Sequence, residues 1–245
     1  MFPDRLLAGY RAFLDERLPR ERARFEALAE RGQSPEIMVI GCCDSRVSPE
    51  VIFDASPGEL FVVRNVANLV PPYETQGQYH GTSAALEFAV QALRVKHIVV
   101  LGHARCGGIR AFADDAAPLS PGDFIGRWMD LIAPAARRLG AADGDREDYL
   151  TRLELATIEH GLANLMTFPC VRILVERGKL HLHGAYFGVA TGALLLRDPA
   201  TGEFAPAVAE LPRRSRCEPL SQTGEGRGEG PAAPQTTRQP PPEPA

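Results

Sequence analysis

No apolar run in the 245 residues approaches the ~20 needed to cross a bilayer; the longest, such as Ile98-Val99-Val100-Leu101, extend only a few positions. No membrane partner is expected. The opening Met-Phe-Pro-Asp-Arg has neither a continuous apolar core nor a small-residue cleavage site, so no secretory signal is read and a cytoplasmic location follows. A basic excess is also missing: 27 Lys and Arg stand against 31 Asp and Glu, net charge −4, and no overall field draws the chain to nucleic acid. The five cysteines are odd in number and lack framework spacing. In a reducing compartment they read as metal ligands, nucleophiles or buried apolar groups rather than disulfides. What remains is 44% hydrophobic residues, enough for one sizeable core.

Composition divides the chain near Pro212. The last 34 residues hold eight Pro, four Gly and a single large hydrophobe, Leu220. Such a segment cannot offset its own ordering entropy, so residues 212–245 read as a disordered Pro/Gly-rich tail behind a domain spanning 1–211. Within that domain, Leu6, Leu7, Tyr10, Phe13, Leu14, Phe25 and Leu28 recur at helical spacing around Pro19, predicting a helical arm over 1–32 made of two amphipathic helices. The runs Ile37-Met38-Val39-Ile40, Leu60-Phe61-Val62-Val63 and Ile98-Val99-Val100-Leu101 are apolar on both faces, as parallel strands covered by helices on each side would be. Helical patterns over 83–93, 123–139 and 147–166, and a last strand or hairpin within 180–197, complete an α/β fold. Residues 170–177 fit a strand by β-branching and a helix by the capping Gly178.

Two of the three strands end in chemically loaded loops, Gly41-Cys42-Cys43-Asp44-Ser45-Arg46 and Gly102-His103-Ala104-Arg105-Cys106-Gly107-Gly108. In an open parallel sheet, ligands bind beyond the carboxyl ends of the strands, where strand order reverses. A His and a Cys three positions apart can reach one ion, and a thiolate from a neighbouring strand completes a Cys₂His set with one place left over, the signature of a catalytic rather than a structural zinc. Asp44 and Arg46 follow the first thiol within one turn. As a bland alternative they form an ordinary surface ion pair, and Gly107-Gly108 an ordinary tight turn.

The motifs Cys-x-Asp-Ser-Arg at 42–46, Arg64-Asn65-Val66-Ala67-Asn68, and Gly-His-x-x-Cys-Gly-Gly at 102–108 resemble those of the β-class carbonic anhydrases, over residues 2 to about 210. The resemblance implies one Zn²⁺ per chain on Cys42, His103 and Cys106, and reversible hydration of carbon dioxide to bicarbonate and a proton by a zinc-bound hydroxide. It implies a mostly parallel sheet in the order 2-1-3-4 with an antiparallel edge strand, and a short helix over 170–177. A homodimer or higher homo-oligomer with sites at the subunit boundary also follows from it. Cys43, pointing away from Cys42 in an extended chain, reads as a small buried residue. Asp44 and Arg46 become a catalytic dyad in which Asp44 orients the hydroxide and Arg46 holds the carboxylate. By resemblance to the plant-like branch, Gln33, Phe61, Val66, Phe88 and Tyr186 line the substrate pocket, together with Gly107.

Two other readings stay open at this point: hydrolysis of carbon disulfide or carbonyl sulfide on the same scaffold, and a noncatalytic zinc-thiolate module that senses redox state or binds a partner. An intact Asp44–Arg46 dyad disfavours the second. His97 reads as a satisfied edge residue and His181-Leu182-His183 as structural, while His80 and His160 are candidate proton shuttles. In some bacterial relatives the aspartate leaves its arginine to close the site, stabilised by bicarbonate against a tryptophan, an arginine and a tyrosine. This chain has Arg64, but Val39 and Phe187 at the other two positions, so Asp44 is expected to stay with Arg46.

Overall fold

The structure, a computed structural model, describes residues 1–76, 80–142 and 144–208. The expected tail over 212–245 and the domain end at 211 lie outside the described residues.

The N-terminal arm comprises α1 (Asp4–Ala12) and α2 (Leu18–Arg31), joined by a π-helical turn over Phe13–Arg17. Pro19 does not break the arm as expected. It falls in the first turn of α2, where its missing N–H would have had no partner. Neither helix has a buried residue, and Leu6, Leu7, Tyr10 and Leu14 stand exposed.

Four parallel strands follow: β1 (Ile37–Cys42), β2 (Leu60–Asn65), β3 (His97–His103) and β4 (His181–Phe187). Two antiparallel strands close the sheet, β5 (Leu194–Arg197) and β6 (Phe204–Pro206), giving the order β2-β1-β3-β4-β5-β6. The 2-1-3-4 core is as expected, but two antiparallel strands extend it rather than one. β6 is only three residues long and carries a proline, too short and too mixed for a periodicity to register. Order reverses between β1 and β3, so the carboxyl ends of these two neighbours flank the switch point.

The connecting helices are α3 (Pro49–Ile52), α4 (Gly81–Glu87) continued by a π-helical turn to Leu93, α5 (Gly107–Ala113), α6 (Phe124–Met129), α7 (Ala133–Leu139), α8 (Arg146–Leu165) and α9 (Pro169–Glu176). The ambiguous 170–177 segment is therefore helical. Met38 and Ile40 of β1 and Ile98 and Val100 of β3 point to one face, where they pack with Leu86, Ile158, Leu165 and Val171 from the helices. At the carboxyl end, Ile109, Met129, Ile132 and Leu153 pack around Cys42 and Cys106. The opposite face carries the alternate residues Val39, Leu101 and Ala185, but Ile37, Val62 and Val99 there are only partly buried. A groove of about 510 Å³ opens on this face, lined by Pro35, Ile37, Val39, Phe53, Leu60 and Val99. Within one chain, then, helices flank the sheet as expected, and they cover the first face more completely than the second.

Candidate metal centre

Cys42 closes β1, His103 closes β3, and Cys106 ends the tight loop that leads into α5. All three are buried, and their ligand atoms lie within 4.8 Å of one another. The imidazole is aimed by its neighbour: Nδ1 of His103 donates to the carbonyl of Ala104 at 3.0 Å, which leaves the Nε2 lone pair facing the thiols. That Nε2 is buried and has no hydrogen-bond partner among the described residues, a costly state that a metal ion would relieve. Two thiols and one free imidazole nitrogen are a donor set suited to zinc with a fourth position open.

The Cys42 thiol is drawn down to about 4, first by a hydrogen bond from Cys106, then by His103 and the backbone N–H groups of Asp44 and Ala67, against the opposing effect of burial. Those N–H groups reach Sγ at 3.4 and 3.3 Å. Cys106 is pushed in the opposite direction by the same Cys42 contact and by burial, as expected of two thiols sharing a single proton. Burial lowers His103, but Cys42, the Ala104 carbonyl and Asp44 together outweigh it and leave the net shift upward.

Asp44 and Arg46 form a two-pronged ion pair. Nε donates to Oδ1 at 2.9 Å and Nη2 to Oδ2 at 2.7 Å, while the Arg46 backbone N–H adds a third bond at 3.0 Å. This contact, led by the guanidinium, holds the carboxyl far below the usual carboxylate range. Oδ2 lies 4.0 Å from Nε2 of His103, so the acceptor faces the centre itself. Arg46 also donates to the carbonyl of Arg105 at 3.1 Å, tying the two metal-bearing loops together.

The Arg64–Asn68 segment supplies parts whose roles the sequence motif alone does not reveal. Arg64 donates to the carbonyls of Cys42 at 2.8 Å and Asp44 at 2.7 Å, clamping the loop that follows β1. Asn65 exchanges two hydrogen bonds of 2.8 Å with the backbone of Leu69 and staples the turn between them. Inside that turn Ala67 adopts φ 64°, a left-handed conformation uncommon for alanine, and its N–H meets Cys42 Sγ. Trp128 Nε1 donates to the carbonyl of Val66 at 2.8 Å and holds the turn from outside. Behind the Cys106 loop, buried Glu154 accepts from the Cys106 N–H at 2.9 Å and from the Tyr186 hydroxyl at 2.6 Å. An acid on the buried stripe of α8, beside Leu153, Thr157 and Ile158, is the signal that could have revealed it.

The expected pocket residues divide into three groups. Val66 and Gly107 adjoin the centre, in the stapled turn and directly after Cys106. Tyr186 is buried and spends its hydroxyl on Glu154, so it supports the metal loop from behind. Gln33, Phe61 and Phe88 are not brought to the centre. Phe61 faces Met38 in the register, four residues and about 13 Å down the strand from Cys42. It pairs at 6.0 Å with Phe88, which is half exposed, and Gln33 is exposed beyond α2. Cys43 is exposed rather than buried, because the chain leaves the sheet at that point.

Residues 37–194 match a family model described as carbonic anhydrase. Beta carbonic anhydrase 3 of Arabidopsis thaliana is 36% identical over 194 residues, covering 77% of this chain and 74% of that protein. Among solved structures, the β-carbonic anhydrase CcaA superposes with a TM-score of 0.78 at 30% identity, over 85% of this chain and 93% of that one. A tetrameric β-carbonic anhydrase of Sordaria macrospora gives 0.68 at 30% identity, over 82% and 98%. The Coccomyxa β-carbonic anhydrase bound to acetazolamide gives 0.67 at 33% identity, over 77% and 83%.

Proposed function

The chain belongs to the β-carbonic anhydrase family, and from that premise we propose how its own residues carry the reaction. It is a zinc lyase for the reversible hydration of carbon dioxide to bicarbonate and a proton. Cys42, His103 and Cys106 would hold the ion, and the buried, unpartnered Nε2 of His103 supports that assignment. When bound, zinc supplies the Lewis acidity that makes water a nucleophile near neutral pH. Two thiolates offset much of the ion's charge, which leaves more for the neighbouring side chains to do.

Asp44 is kept ionised and acceptor-only by Arg46, so Oδ2 accepts the O–H of the reacting water and leaves its oxygen lone pair directed at carbon dioxide. Arg46 positions Asp44 and does not touch the substrate. Arg64, Asn65 and Ala67 fix the thiol that sits beside this carboxylate. The observation that carries the assignment is the fork between Asp44 and Arg46 standing 4.0 Å from the imidazole nitrogen of the Cys₂His set.

Val66 and Gly107 form the near wall of the substrate pocket. Gln33, Phe61 and Phe88 belong to the site of a neighbouring subunit, and the chain works as a homodimer or higher homo-oligomer. An arm without a buried residue and a half-covered sheet face support this, as does the tetrameric state of the Sordaria relative. Free thiols at Cys42, Cys43, Cys106 and Cys170 suit the cytoplasm. Stopped-flow hydration of carbon dioxide with a pH indicator, on protein carrying one zinc per chain, tests the reading. Carbon disulfide and carbonyl sulfide serve as comparison substrates. Carbon dioxide turnover should exceed the buffer rate by orders of magnitude, and a rate equal to buffer refutes the assignment.

A further inference from the structure

Three of the six histidines gather at the opposite end of the sheet. His97 opens β3 and His181 opens β4, and the register places them side by side, with His183 beside Val99. Residues two apart on a strand share a face, so all three imidazoles stand on the same side of the sheet. Nδ1 of His97 and Nε2 of His183 lie 3.1 Å apart. The His97 ring is 5.3 Å from the rings of both His181 and His183. His97 is thus not an edge residue, since β3 is flanked by β1 and β4, and its partner is another imidazole. His103 lies six positions further along β3, about 20 Å away.

We propose that His97, His181 and His183 form a second metal site, for a borderline divalent transition-metal ion such as Zn²⁺ or Ni²⁺, at the strand-start end of the sheet. Two nitrogens bound to one ion at about 2.0–2.1 Å in tetrahedral geometry stand roughly 3.3 Å apart, close to the separation already built between His97 and His183. A single proton now bridges that gap. On metal binding it moves to the distal nitrogen of its ring, leaving Nε2–H on His97 and Nδ1–H on His183, so both ligands remain neutral imidazoles. His181 stacks on His97 at 27° in the resting arrangement, and its exposed ring supplies a third nitrogen by changing rotamer.

The surroundings favour a cation. Lys96, next to His97 in the chain, is paired with Glu36, so its positive charge is compensated. Imidazole ligands suit zinc, nickel and copper, whereas calcium and magnesium prefer oxygen donors.

Protein already carrying one zinc per chain is titrated with zinc chloride by calorimetry, and the histidine ring nitrogens are followed by long-range ¹H–¹⁵N NMR. The expected result is one further zinc per chain, with Nδ1 of His97 and Nε2 of His183 shifted to metal-bound positions. H97A and H183A should each weaken this second equivalent roughly tenfold or more, and H181A should weaken it less. Carbon dioxide hydration should be unchanged in all three, which also reports that they fold. Absence of a second equivalent, its persistence in the H97A/H183A double variant, or unmoved imidazole resonances in the unmodified protein would overturn the proposal. The NMR result stands on its own where a variant does not fold.

Discussion

The three donors of the zinc set have a neighbour that serves as their control. Cys43 follows Cys42 directly yet is exposed and outside the cluster, so Cys43→Ser should keep metal and activity. Cys42→Ser, His103→Ala and Cys106→Ser should each lose both, measured as zinc content and hydration rate on the same preparations. Asp44→Asn removes charge but little volume. It should retain zinc and lower kcat by about 10–100-fold, and Arg46→Ala should do the same by releasing the carboxylate. Zinc loss in Asp44→Asn would make the aspartate a structural support instead. Titration gives a test remote from the centre. Burial, followed by Arg138 and Arg137, pulls His160 below the ordinary imidazole value. The unfolded chain then binds more protons between the folded and unfolded values, so stability falls as pH drops below about 6.5. His160→Gln should flatten the decline of the urea midpoint between about pH 7.5 and about pH 5.5.

Elements differ in how far they can be read from the sequence, and the reason is local. The cores of β1, β2 and β3 are runs apolar on both faces, and Gly41-Cys42 and Gly102-His103 mark their chemical ends, so strands and ligand loops are legible together. The π-helical turns at Phe13–Arg17 and Phe88–Leu93 leave the apolar spacing almost unchanged and escape notice. Tyr186 sits on the strand as expected, but its direction depends on Glu154 of α8, 32 residues away in sequence, and no local pattern encodes that bond. Arg64 is similar. As part of a motif it is visible, yet its clamp on the Cys42 and Asp44 carbonyls arises only when β2 pairs with β1. Arg64→Ala should therefore speed loss of zinc to a chelator and lower activity without unfolding the sheet, followed by metal-release kinetics and circular dichroism. The same commitment bears on regulation. With Arg64 engaged on the loop backbone, Val39 buried in the sheet and Phe187 packed among apolar neighbours, these three positions form no cluster of donors for bicarbonate. A ligand shifts an equilibrium only by its differential affinity for the two states. Activity should accordingly follow a single ionisation across neutral pH, and a steep cooperative loss below pH 8 would contradict this.

At the scale of the whole molecule, the arm and the uncovered sheet face belong to one argument. An amphipathic helix gains most of its stability in water by packing its apolar face, yet neither α1 nor α2 has a fully buried residue within its own chain, and Phe25 and Leu28 are only partly buried. The half-covered face has the complementary deficit, with Val62 partly exposed and Ile37 and Val99 lining a groove of about 510 Å³. Large apolar patches of this kind mark association surfaces. The pocket residues point the same way, since Gln33, Phe61 and Phe88 are separated from the metal within one chain and accessible to another. Deleting residues 1–31 should thus convert an oligomer into smaller species by light scattering, leave Cys42, His103 and Cys106 able to bind zinc, and reduce hydration because each site loses its far wall. Deleting residues 213–245, which contain one large hydrophobe, should change none of these. The contrast separates a cause from a generic truncation effect. An arm deletion that keeps the oligomer would mean that the arm does not hold the subunits together, whereas one that yields monomers with full turnover would mean that each chain completes its own pocket, and Gln33, Phe61 and Phe88 would then have no part in the site.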